Sequence, residues 1–188
     1  MAVHPIPLTG LSAGKRVVAI GVVGGMVSGM MMAIVEMIYG WASDAHTFWD
    51  APMAIWAWVA GLNHYGDPGN HVGSIVLGLG GHMMNSMMVG VVFAAMATVL
   101  LASLRRRGAS GIALDLAPVM LGVAYGLGFW AVMRYGILPL RGAPEKYLFT
   151  KNVVSPPWVW WLAHGVLGMT AGMVFDVARR VVAPEPGR

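Results

Sequence analysis

A bundle of four transmembrane helices is what the sequence predicts, and three observations predict it. Charged residues make up only 11% of the 188 residues, against 57% hydrophobic, whereas a soluble domain carries about 25% charged residues. Four apolar runs are long enough to cross a hydrocarbon core of about 30 Å at a rise of about 1.5 Å per residue. Basic residues gather at one set of ends of those runs, as they do on the cytoplasmic side of membrane helices. With a mean hydropathy of +0.68, the polar side chains are too few to cover a water-facing surface, so much of the apolar surface must meet lipid.

The first predicted span covers residues 17–39, and the pair Lys15-Arg16 precedes it. This run is too long for the apolar core of a signal peptide, so the helix is expected to be retained. The second span lies within residues 72–104. That stretch exceeds one bilayer crossing, which predicts a tilt, a kink near Gly78-Leu79-Gly80-Gly81, or an extension beyond the membrane. The third covers residues 117–139 and the fourth residues 158–177. Between the first two spans, residues 51–62 are apolar but too short to cross, and predict an interfacial or re-entrant helix that Asp50 would cap. All of this forms a single membrane domain.

Orientation follows from the Lys/Arg bias. Lys15, Arg16, Arg105, Arg106, Arg107, Arg179, Arg180 and Arg188 fall on one side; Arg141, Lys146 and Lys151 fall on the other, and Arg134 lies inside the third span. Both termini are therefore expected in the cytoplasm. The basic clusters at helix ends suit anionic lipid headgroups, and no basic face with interleaved aromatics points to nucleic acid. The outward loops are rich in aromatic and ionisable residues, and Trp158, Trp160 and Trp161 mark a headgroup-level belt.

Small residues recur every fourth position: Gly21, Gly25 and Gly29 on the first helix, Gly122 and Gly126 on the third, Gly168 and Gly172 on the fourth. That spacing lets helix backbones approach closely. The two halves also read alike, repeat one over residues 15–104 and repeat two over residues 111–181. Each has a Gly-x-x-x-Gly, then a segment with Pro and Trp, then a helix with a His (His82, His164) and, after the same interval, a Phe (Phe93, Phe175). Two spans per unit give two similar hairpins related by an axis along the membrane normal. This pattern resembles an uncharacterised family of small four-helix bacterial inner-membrane proteins. The resemblance implies the fold and an inner-membrane location, and no activity.

Ionisable groups inside spans are expensive in lipid and are functional candidates by default. Glu36, His82, Arg134 and His164 supply one per helix, all toward the outer third, and Asn85 and Ser86 follow His82 by three and four places. This polar layer has a structural reading, in which Glu36 and Arg134 pair or snorkel outward and the histidines bond to backbone carbonyls or to each other. It also has two cofactor readings. His82 and His164 on co-directional helices suit a bis-histidine haem b. In the first outer loop, His46, His64, His71, Asp44, Asp50 and Asp67 suit zinc or copper. Met26 and Met30, Met83 and Met87, Met84 and Met88, and Met169 and Met173, each one turn apart, add soft ligands for copper, although methionine also fills apolar gaps.

The chain has no cysteine, which removes disulfides, thiolate metal sites and cysteine nucleophiles. It has no dinucleotide or phosphate loop, no nucleophile elbow and no paired carboxylates within the spans. A non-enzymatic bundle is therefore expected, either an accessory subunit or a small transporter-like protein with an outward-facing polar site. Its expected partners are the lipid bilayer and a membrane protein or second copy of itself.

Overall fold

The computed structural model describes residues 12–43, 47–60, 72–137 and 156–182. Among these, the structure is all helix: α1 (Ala13–Ala42), α2 (Asp50–Ala60), α3 (Val72–Arg106), α4 (Ile112–Val132) and α5 (Pro157–Val182). A π-helical turn, Met133–Ile137, continues α4. The four long helices are each apolar and long enough to cross a membrane, with mean hydropathies of 2.2, 2.3, 1.7 and 1.3, and less than half of each apolar window is buried within the chain. Apolar side chains such as Met30, Val76, Met88, Met120 and Val177 point away from the bundle. A surface of that kind is stable against lipid rather than water, and the helices support a multi-pass membrane protein.

Most helices run further than the apolar runs alone suggest. At the arginine end, α1 begins at Ala13, α4 begins at Ile112 and α5 continues to Val182. Charged residues ride on these extensions. Asp115 and Asp176 pair with Arg179 and Arg180, at distances from 2.5 to 3.5 Å, and Arg179 also donates to the Leu114 carbonyl at 3.2 Å. These contacts tie the start of α4 to the end of α5. Pro118 lies inside α4, beyond its first turn, so the Leu114 carbonyl loses its helical N–H partner and accepts from Arg179 instead. α3 passes through the Gly78–Gly81 segment without a break.

The long helices pack chiefly α1 on α3, α4 on α5 and α1 on α5, while α3 meets α4 and α5 only lightly. Glycine explains the two tightest pairs. Gly21 and Gly25 lie against the backbone of Gly90 and Ser86, and Gly122 and Gly126 lie against the backbone of Gly168 and His164. A side-chain carbon at any of these glycines would collide with main-chain atoms of the facing helix, so only glycine admits the observed approach. Toward the arginine end, Phe93, Ala94, Ala97 and Leu101 of α3 pack on Ala171 and Phe175 of α5, with Phe93 and Phe175 edge-on at 6.1 Å. The middle is filled by Met32, Val89, Ala163 and Leu167, with Tyr125 and Phe129 against them.

The short helix α2 covers the other end. Asp50 is its first residue rather than the residue before it, and accepts a hydrogen bond from the Thr47 hydroxyl. Pro52 sits directly on Gly78 of α3. Ala51 and Ala54 pack on Trp130 of α4 and Trp160 of α5, with Ile55, Trp58, Met133 and Trp161 around them. Met53, Ala54 and Ala57 are fully enclosed. This short element is therefore held by one face against α3 and the tryptophans of the second pair.

Candidate functional site

Beneath α2 the bundle encloses ionisable side chains. Glu36 on α1, His82 on α3 and His164 on α5 are 2%, 7% and 4% exposed. Ser28 of α1 and Ser86 of α3 are buried with them. The helix period decides which neighbours of His82 join this group. Ser86 lies four residues on, about 40° round the helix, and is enclosed; Asn85 lies three residues on, about 60° round the other way, and is exposed. Asn85 therefore falls outside the buried layer in which the sequence places it.

The heights of the groups follow from helix register. Gly29 of α1 faces His82 and Ser86 of α3. Tyr39 of α1 meets Trp158 of α5, with ring centroids 5.7 Å apart, and Gly24 faces Val174. These contacts set His164 opposite Ala33. His82, His164 and Glu36 thus climb toward α2 in steps of about one helical turn, roughly 5 Å each.

Each histidine is anchored by one nitrogen. The Nε2–H of His82 donates across the α1–α3 seam to the Gly29 carbonyl at 3.0 Å. The Nδ1–H of His164 donates to the Trp160 carbonyl of its own helix at 2.9 Å. The His164 ring lies against Trp130 at 4.8 Å and Phe129 at 6.1 Å. Trp130 in turn stacks on Trp160 at 5.4 Å. Backbone carbonyls are thus the partners of both histidines, as the structural reading of the sequence has it.

Glu36 does not follow that reading. Its Oε1 atom is buried and has no hydrogen-bond partner. No ion pair joins Glu36 to Arg134 among the described residues. Arg134 is half-buried on the π-helical turn of α4 and has an interaction of its own. A buried carboxylate oxygen without a donor is uncommon, because desolvation is not offset.

The cofactor readings fare differently. Met32, Val89, Ala163, Leu167, Tyr125 and Phe129 occupy the centre next to the histidines, and a porphyrin between α3 and α5 would have to displace them. Of the loop residues proposed for metal, His46, His64, His71, Asp44 and Asp67 lie outside the described residues. Asp50 is enclosed at the start of α2. Among the described residues no group of three or more His, Cys, Asp or Glu is placed to hold a metal ion. Met26, Met30, Met84, Met88, Met169 and Met173 all face away from the bundle.

Two partners of the layer escape sequence reading. Ser28, whose hydroxyl donates to the Gly25 carbonyl at 3.2 Å, looks like any small residue in a glycine-rich helix. Trp130 does not stand out in the sequence, yet its place four residues after Gly126 continues the glycine stripe onto His164. Comparison with protein-family models, curated proteins and solved structures finds no match.

Proposed function

We propose that the chain is a small, non-enzymatic, transporter-like membrane bundle whose polar site opens toward the non-cytoplasmic side. The carrying observation is Glu36: a carboxyl on a span, enclosed by the bundle, with one oxygen left without a donor. An accessory subunit that only needs to fold and dock has no use for such a group, since a buried acceptor left unmade costs about 1–3 kcal/mol. The accessory reading expects glycine seams turned to lipid or a partner and no cavity reaching Glu36 or the histidines; Gly21, Gly25, Gly122 and Gly126 face inward.

Orientation in this reading rests on the basic residues. Lys15, Arg16, Arg105, Arg106, Arg179 and Arg180 share the end opposite α2, and make it the cytoplasmic one by the positive-inside rule. Both termini then lie inside, α2 becomes a re-entrant or interfacial cover on the outer side, and the resemblance noted above suits a bacterial inner membrane. A duplicated hairpin underlies the site. Gly25 faces Ser86 as Gly126 faces Gly168, and Gly29 meets His82 as Trp130 meets His164. The paired positions keep the same spacing in both halves, which supports descent from one two-helix unit.

The absence of cysteine makes the test direct. Single cysteines are placed at Ala33, facing the layer, and at Met30, on the outward face of α1, in protein oriented in vesicles. The proposal expects a membrane-impermeant maleimide to label position 33 from the non-cytoplasmic side and to leave position 30 unlabelled. Position 33 closed from both sides, under conditions where a permeant maleimide reacts, contradicts an accessible site and returns the chain to the accessory reading.

A further inference from the structure

We propose that the ligand of this site is a proton, taken from the non-cytoplasmic side onto the Glu36 carboxylate, and that the path ends within the outer half of the bundle. The inference rests on the outward-site reading above and names what that site binds.

The first argument is charge. Glu36 is 2% exposed, on a helix that packs against α2, α3 and α5. The other titratable groups presented to it by the elements packed on α1 are Asp50 on α2, His82 on α3 and His164 on α5. The remaining charged residues of α3 and α5 (Arg105, Arg106, Asp176, Arg179 and Arg180) sit at the opposite end. The nearest permanent cation inside the spans, Arg134, makes no ion pair with Glu36. Among the described residues no cation pairs with this carboxylate, so the site calls for a positive charge.

Ligand number selects the proton over a metal ion. Hard cations need six or more oxygens at short range. Here the Ser28 hydroxyl is engaged with the Gly25 carbonyl, and the Gly29 carbonyl with His82. No three-carboxylate or mixed His/carboxylate group lies nearby among the described residues. A proton needs one oxygen, and the unpartnered Oε1 of Glu36 offers it.

The histidines extend the site inward, and then it stops. Each ring keeps one nitrogen anchored on a carbonyl, leaving the other, Nδ1 of His82 and Nε2 of His164, to accept a proton. With Glu36 they form three acceptors at successive heights. Below His82 come Ser86 and then closed packing: Gly90 against Gly21 and Gly25, and Phe93 against Phe175. The next titratable side chain inward is Tyr125, whose hydroxyl donates to the Val89 carbonyl; beyond it none among the described residues continues the series until Asp115 and Asp176 at the far end. The proton therefore enters and leaves on one side in this conformation, and does not leak across.

The experiment uses the intact protein in lipid vesicles with pH-difference infrared spectroscopy. The expected result is a carbonyl band of a protonated carboxylic acid that shifts in D2O, disappears in Glu36→Gln and persists, displaced, in Glu36→Asp. Vesicles loaded with a pH dye should show no proton leak above empty vesicles. Gel filtration of both variants reports folding, and the band shift in Glu36→Asp serves alone if Glu36→Gln does not fold. Three results would overturn the proposal: a band unchanged in Glu36→Gln, proton release on adding sodium or potassium at fixed pH, or steady conduction through the wild-type protein. If position 33 is reachable in the cysteine test but no Glu36 band is found, the proton inference fails and the outward site stands. If position 33 is unreachable, the site reading itself fails.

Discussion

The Glu36 carboxyl sits on α1 with one oxygen buried and without a donor. Glu36 and the histidines were conspicuous as ionisable groups within apolar runs. Their partners were not, because a carbonyl acceptor such as Gly29 or Trp160 has no side-chain signature. Asn85 misled for a simple reason: three and four residues on are both neighbours of His82, but only Ser86 turns toward α1. The unpartnered oxygen of Glu36 makes a prediction at this scale. Replacing Glu36 with Met, of similar length and no charge, should leave thermal stability in detergent unchanged or raise it by up to about 3 kcal/mol. A loss of similar size would mean that the carboxyl has a stabilising partner in the folded protein.

The helices themselves were legible from apolar run length, and their ends were not. Helices α4 and α5 continue past the apolar core because polar residues at the arginine end pair with one another once folded, which no run length reveals. The glycine spacing announced close approach, and the structure adds which glycines make it. Gly25→Ala and Gly126→Ala each force a carbon into the facing backbone and should destabilise the bundle by about 1–3 kcal/mol or more. Gly80→Ala and Gly128→Ala meet nothing within 4 Å and should be neutral or stabilise by up to about 1 kcal/mol through helix propensity. Thermal unfolding of the four variants tests this contrast, and equal effects in the two pairs would contradict the packing described. At the arginine end, Asp176 pairs with Arg179 and Arg180 and is the less exposed acid. Asp176→Ala should therefore cost more than Asp115→Asn, whose exposed pair is worth about 0–1 kcal/mol. The reverse order would contradict that assignment.

At the scale of the whole molecule, composition alone pointed to lipid, and the outward-facing apolar side chains of all four long helices agree with it. Function was far less legible. His82 and His164 fit a haem or plain packing until the surrounding side chains are known, and the first outer loop's histidines, read for metal, fall outside the described residues. Reporter fusions at either terminus should be active only in their cytoplasmic form; activity of an exported reporter would invert the proposed orientation. The account depends most on which faces meet lipid and which do not. Nitroxide labels at single cysteines replacing Met30, Met84 and His82 measure this directly by power-saturation EPR in bilayers. Labels at 30 and 84 should be relaxed by oxygen and not by a water-soluble nickel chelate, while the label at 82 should be shielded from oxygen. Strong nickel relaxation at 30 and 84, or strong oxygen relaxation at 82, would contradict a bundle that turns its apolar faces to lipid and encloses its ionisable groups.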